Sequence, residues 1–235
     1  MEDGQRQSRR WLVTRHGHQT GPEKLAAVAE ADGVTDRRVL DAMRRTPRAE
    51  FVSAAYADRA YDDVPVPIPH NQVTTQPSLS AAMIAALGLA GTERVLEVGA
   101  GYGYQTALLA RLAAQVVSIE IWPDLAARAR HNLAAAGLGN VIVLVGDGTE
   151  GVPDHAPFDA VLVSASFLRV PPPLAAQLRA GGRLVQPIGP GGAEQVVLYQ
   201  KDKDGLSPVR VLTWASFVRL HGRYGFPRTR SGGPA

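Results

Sequence analysis

"VLEVGAGYGYQTALL", residues 95–109, decides the fold. It opens as a short β-rich apolar run, passes through Gly99, Gly101 and Gly103, and continues with helical spacing of apolar residues. Tight turns and close ligand approach both favour a residue without Cβ. Strand, glycine loop and helix in that order predict a βα unit of an open parallel sheet. Working outward, "QVVSIE" (115–120), "NVIVLVGD" (140–147), "FDAVLVSA" (158–165) and "GGRLVQPIG" (181–189) are further near-continuous apolar runs. Strands covered on both faces by helices have this character. The stretches between them, "YQTALLARLA", "PDLAARARHNLAAAG" and "PPPLAAQLRAGG", read as helical. Strands start about every twenty residues, the spacing of βαβ units.

Two more strands, "EQVVLYQKD" and "PVRVLTWASFVRL", flank "KDKDG", which predicts an antiparallel hairpin at the sheet edge. Upstream, "PEKLAAVAEADG" and "TDRRVLDAMRRTP" predict two helices, the second capped by Thr35 or Asp36 and ended by Pro47. "YDDVPVPIPHNQ" (61–72) reads as an extended proline-rich loop. "PSLSAAMIAALGL" reads as a third helix with Pro77 in its first turn. The expectation is an α/β chain: a doubly wound, Rossmann-like sheet with an antiparallel final hairpin and an N-terminal helical cap. Its divisions are a tail at 1–20, the cap and a substrate loop at 21–90, the ligand-binding sheet domain at 91–226 and a flexible tail at 227–235.

Composition narrows the function classes. With no cysteine among 235 residues, disulfide scaffolds, thiolate metal sites and cysteine nucleophiles are excluded. The longest apolar run, "AAMIAALGLA" (81–90), is too short to cross a bilayer. No apolar stretch follows the charged N-terminus, so no secretory signal is read, and a cytoplasmic, monomeric protein is expected. The formal net charge is +3, with basic residues concentrated in "RQSRRW" and "RLHGRYGFPRTR" at the two ends. Solvated ends account for that distribution, and no nucleic-acid partner is expected. "HGH" (16–18) lacks a third ligand, and no metal is expected.

Three features set the glycine loop apart from a dinucleotide site. Its spacing is G-x-G-x-G, whereas dinucleotide loops read G-x-G-x-x-G. Glu97, two residues before Gly99, would repel a pyrophosphate but suits a cationic ammonium group. Glu120 is placed to accept from both hydroxyls of a ribose, and Asp147 from an adenine amino group. Ammonium, ribose and adenine together describe S-adenosylmethionine. Tyr104, Gln105, Thr106, Ile121 and Gly148, which flank these positions, complete the expected cofactor set. Trp122 and Phe167 either flank the adenine or pack.

The same segments resemble the protein-L-isoaspartate O-methyltransferase family. The resemblance runs from about Val34 to Phe226 and is most specific in "PR..FV" (47–52) and "Q..TQP" (72–77), beyond the glycine loop that any methyltransferase could share. It implies methyl transfer to the α-carboxyl of isoaspartyl residues in proteins or peptides, followed by loss of methanol to a succinimide. A carboxylate is ionised at neutral pH, so the chemistry needs positioning rather than a general base. The resemblance also places Thr75 beside the reacting groups, where family members commonly carry the serine of "QTISQP". His70, Gln72, Val73 and Thr74, with Ser164 and Ala165 where "VTAA" is frequent, form the substrate side. Thr75 keeps a hydroxyl but adds a β-branch. It also reads as an N-cap of the following helix. Two other functions fit the sequence: a methyltransferase dedicated to aspartate in one ribosomally made peptide, and a binding module without turnover.

Overall fold

The computed structural model describes residues 21–227. The expected tail at 1–20, with His16 and His18, lies outside the described residues, as do residues 228–235. Helices α1 (Pro22–Ala31) and α2 (Arg37–Arg44) form where the apolar spacing predicts them. Asp36 caps α2 by accepting from the Arg38 N–H at 2.9 Å. Beyond Pro47 the chain makes a 3₁₀ turn, Arg48–Phe51, in which Arg48 and Phe51 are both fully buried. Three residues per turn put those two side chains on one face.

Residues 61–72 are not the plain loop that their prolines suggest. Strands β1 (Val66–Ile68) and β2 (Gln72–Thr74) pair antiparallel, with Val66 opposite Thr74 and Ile68 opposite Gln72. The turn between them uses His70 and Asn71 at φ 64° and 55°, and Gln72 N–H donates to the Pro69 carbonyl at 3.3 Å. The prolines survive because this is a separate two-stranded ribbon whose strands are both edges. Without a glycine, the left-handed turn left no mark in the sequence.

Helix α3 (Pro77–Leu87) leads into the main sheet. Its seven strands are β3 (Arg94–Val98), β4 (Gln115–Glu120), β5 (Val141–Val145), β6 (Phe158–Val163), β7 (Leu178–Ile188), β8 (Glu194–Asp202) and β9 (Gly205–Ala215). They lie in the order β5-β4-β3-β6-β7-β8-β9; β3 through β7 run parallel and β8 and β9 are antiparallel, as the "KDKDG" turn predicts. Helices α4 (Tyr104–Ala110), α5 (Pro123–Ala135) and α6 (Pro172–Gln177) provide the crossovers. Helix α6 is shorter than expected: at Leu178 the chain has already joined β7. Gly182 is required there, because a Cβ would stand 2.8 Å from the Asp159 carbonyl.

The central strands bury alternate residues on opposite faces. Val95, Val116, Ala160, Leu162 and Val185 join one apolar cluster; Leu96, Val98, Val117, Val161 and Leu184 join another. That is why these segments read as unbroken apolar runs. The first cluster also takes Leu25, Leu40, Met43, Phe51 and Ile84, so α1 to α3 share a core with the sheet. After β5 the chain returns to the other side of β3, and this reversal leaves a crevice at the carboxyl ends of β3 and β6.

Candidate active site

The crevice is a cavity lined by Gly99 and Gly101, by Tyr104 and Gln105 of α4, by Glu120 at the end of β4, and by Ser164 and Ala165 beyond β6. Gly99, Gly101 and Gly103 have φ of 96°, 54° and 92°, a region that residues with a Cβ enter at a cost. A Cβ on Gly101 would stand 3.4 Å from Ile68 of β1, so the loop also passes directly beneath the hairpin. The Glu120 carboxylate accepts from Gly101 N–H at 2.9 Å and from Trp122 N–H at 3.1 Å. Burial raises its pKa, opposed by those N–H groups. Each oxygen keeps a lone pair for a further donor.

Three buried polar atoms on cavity-lining residues have no hydrogen-bond partner among the described residues: Ser80 Oγ, Tyr104 OH and Gln105 Oε1. Leaving a buried polar group unpaired costs about 1–3 kcal/mol, so such groups mark where a polar ligand belongs. The hydroxyls can donate to a carboxylate, the amide oxygen can accept from an ammonium, and Glu120 can accept from a vicinal diol. That donor and acceptor set fits an amino acid joined to a ribose. Ser80 escaped the sequence reading because it lies in the first turn of α3, just past the "Q..TQP" segment, where a serine among alanines has no chemical mark of its own.

The hairpin roofs the cavity with Gln72, Val73, Thr74 and Thr75. Two motif segments hold it in place. The Arg48 guanidinium donates to the carbonyls of Asp62 (3.0 Å) and Val64 (2.9 Å) and to Thr74 Oγ1 (2.9 Å). It also lies over the Tyr104 ring at 5.8 Å, against which Phe51 packs edge-on at 5.9 Å. "PR..FV" therefore links the hairpin to the first residue of α4. The second anchor is Asp63, whose carboxylate accepts from Ser78 N–H (2.8 Å), the Ser78 hydroxyl (2.7 Å) and Gln76 Nε2 (2.7 Å).

Thr75 does not cap α3, contrary to the sequence reading; Gln76 occupies the N-cap position without a capping bond from its own side chain, and Asp63 supplies the acceptor from 15 residues upstream of Ser78. Asp63→Ala is expected to lower stability by about 1–2 kcal/mol. Asp63→Asn, which keeps one acceptor oxygen, should recover part of it. Urea midpoints of the three proteins check this.

Thr75 lines the cavity, and among the described residues no hydrogen bond engages its hydroxyl. Thr74 is different: its Oγ1 is occupied by Arg48 and by Val66 N–H at 3.3 Å. His70 does not line the cavity. Its ring stacks on Trp122 at 3.8 Å, and Nε2 donates to the Asp124 carboxylate at 2.9 Å, holding that carboxyl below its usual range. His70 thus fastens the hairpin tip to the start of α5. Trp122 serves as that platform, and Phe167 packs edge-on against Phe226 at 5.0 Å.

Several expected cofactor residues lie elsewhere. Glu97 belongs to β3 itself, pointing under α4; it is fully buried and absent from the lining. It accepts from Gln105 Nε2 (3.2 Å), the Thr106 hydroxyl (2.5 Å) and the Ser118 hydroxyl (2.6 Å). Thr106 is spent on that contact. Gly103 packs on α5, where a Cβ would meet Leu133 at 3.3 Å, and Gly148 packs on Val98, whose side chain an added Cβ would overlap. Ile121 is half-buried beside Glu120 and does not line the cavity. Asp147 faces a separate cavity. Its oxygens accept from Thr149 N–H (2.8 Å) and from Arg223 N–H (2.6 Å), a partner 76 residues downstream that local sequence could not reveal.

Burial pushes the Glu97 carboxyl up to about 7, against the three donors, which pull it down. A folded value above the unfolded one favours the neutral form in the folded chain. The contribution is therefore complete below the unfolded value of 4.5 and is lost as pH rises through about 7. Between about pH 5.5 and about pH 8 the ligand-free protein is expected to lose about 2 kcal/mol relative to Glu97→Gln. Parallel stability curves for the two proteins would refute this.

Comparison with known proteins agrees with this architecture. The family Protein-L-isoaspartate(D-aspartate) O-methyltransferase (PCMT) matches residues 21–225. The protein-L-isoaspartate O-methyltransferase of Anaeromyxobacter dehalogenans is 52% identical over 190 residues, covering 80% of this chain and 91% of that protein. Protein-L-isoaspartate O-methyltransferase 1 of Syntrophobacter fumaroxidans is 47% identical over 194 residues, covering 83% and 90%. A solved protein-L-isoaspartate O-methyltransferase superposes with a TM-score of 0.78 at 30% identity, over 87% of this chain and 67% of that one. A Plasmodium falciparum structure described under the same activity, in complex with S-adenosyl-L-homocysteine, shares the fold with a TM-score of 0.73 at 20% identity, over 86% and 99%. With its hairpin, glycine loop and seven-stranded sheet, this chain belongs to the protein-L-isoaspartate(D-aspartate) O-methyltransferase family.

Proposed function

We propose that the chain methylates the α-carboxyl of isoaspartyl residues in proteins and peptides, using S-adenosylmethionine. One observation carries the reading. The cavity joins Glu120 and three unpaired polar atoms to a roof that presents the unengaged Thr75 hydroxyl. When bound, the cofactor supplies an electrophilic methyl group on a sulfonium. Glu120 would accept from the ribose hydroxyls. Gln105 Oε1 would take the ammonium partnership expected of Glu97, while Ser80 and Tyr104 would donate to the carboxylate of the methionine portion. Glu97 acts one layer below, holding Gln105 and Thr106 in place. The hairpin covers the cavity and excludes water, which strengthens these contacts.

Thr75 donates to the acceptor carboxylate. That carboxylate loses charge as it reacts, so the hydrogen bond serves aim rather than charge stabilisation. The resulting methyl ester loses methanol to the neighbouring backbone nitrogen, and the succinimide can reopen as normal aspartate. Thr75→Ala is expected to reduce kcat/KM about tenfold with S-adenosylhomocysteine affinity nearly unchanged, and Thr75→Ser to restore it. An equal loss of affinity would make Thr75 structural. The reading itself is tested with paired peptides: methylation of an isoaspartyl peptide and not its aspartyl twin is expected. The reverse preference would assign the chain to aspartate, and turnover of neither would leave the fold without this activity.

A further inference from the structure

A second cavity of about 250 Å³ adjoins the first and shares Val73, Thr75, Ser164 and Val218 with it. The end of β9 and the segment after it complete its wall, with Trp214 and Phe217 as the largest side chains. None of its lining residues carries an ionisable side chain. Trp214 is 63% exposed and Val73 41% exposed, although both line the cavity, so they stand at its opening to solvent. A large exposed aromatic beside an uncharged cavity, continuous with the residue that faces the acceptor, has the character of a recognition pocket.

We propose that this cavity is a specificity subsite: it receives an uncharged apolar side chain adjacent to the methylated residue of the peptide, with Trp214 as its main wall. The inference deepens the acceptor reading given above and rests on it. Thr75 lines both cavities, so a peptide whose carboxylate lies at Thr75 has a neighbouring residue within reach of the second. An apolar side chain there would displace a few waters, roughly three or four, and cover the exposed indole. A charged side chain would lose hydration and meet no partner. Burial of one large apolar side chain corresponds to at least about tenfold in affinity.

The test uses isoaspartyl peptides with Leu, Phe, Asp or Lys at the position before or after the isoaspartate. At one of the two positions, Leu and Phe are expected to exceed both Asp and Lys by about tenfold in kcat/KM, carried mainly by KM. Trp214→Ala should shrink that ratio to about threefold or less by raising KM for the apolar peptides, and Trp214→Phe should keep most of it. Equal rates for all four peptides at both positions overturn the subsite, as does a ratio that survives Trp214→Ala. A preference for Asp over Lys, with Leu between, would show selection by charge instead and also overturn it. If no isoaspartyl peptide is methylated, the acceptor reading fails separately. Anisotropy of the same labelled peptides with S-adenosylhomocysteine present then decides: an apolar preference that Trp214→Ala abolishes supports the subsite, and its absence overturns it.

Discussion

Arg48→Met is expected to destabilise the protein by about 3 kcal/mol and to disorder the hairpin before the sheet. The guanidinium is fully buried and holds the Asp62 and Val64 carbonyls and Thr74 Oγ1, with a longer contact to the Ala60 carbonyl at 3.4 Å. Hydrogen bonds to a charged group contribute about 1.5–3 kcal/mol each. Against this stands the cost of burying the cation, of order several kcal/mol, which also lowers the pKa of Arg48. Removing the side chain relieves that cost but leaves three carbonyls and a hydroxyl without their donor, so the loss prevails. Arg48→Lys keeps the charge but not the planar fork that reaches partners in two directions, and should recover less than half. Urea unfolding measures the stability, and hydrogen exchange over 62–75 shows where it is lost. A wild-type midpoint for Arg48→Met would remove Arg48 from this role.

Glu120→Ala is expected to weaken S-adenosylhomocysteine binding about 100-fold. Two charge-assisted hydrogen bonds to a ribose diol, less the water they replace, amount to about 3 kcal/mol, and each 1.4 kcal/mol is tenfold. Because Glu120 also anchors the Gly101 and Trp122 N–H groups, part of the loss will come from a loosened glycine loop. Glu120→Gln separates the contributions: its amide oxygen can keep one backbone N–H while the charge is gone. Titration calorimetry on all three proteins, with melting curves to confirm folding, measures the effect. Unchanged affinity for Glu120→Ala would show that the ribose hydroxyls are held elsewhere.

Much of the sheet was legible because its strands are covered on both faces and leave unbroken apolar runs in the chain. The glycine loop and Glu120 were legible for a related reason, since both sit in one strand–loop–helix unit and its continuation. The hairpin at 66–74 was hidden by its prolines and by a turn that uses His70 and Asn71 in place of glycine. Glu97 was read as facing a ligand because only its distance from Gly99 was visible. The strand pleat turns it beneath α4, onto Thr106 and Ser118.

By itself the sequence determined the α/β class, the order of its elements, the glycine crevice and the family, because these depend on local periodicity and on residues close together in the chain. The tertiary structure decided which polar groups reach the cavity. It enclosed Glu97, carried Asp147 away to Arg223, gave the capping of α3 to Asp63, and left Ser80, Tyr104 and Gln105 with unpaired atoms at the crevice. Those outcomes turn on contacts between distant segments, and a hydrogen bond already made within the fold is one a ligand no longer finds open.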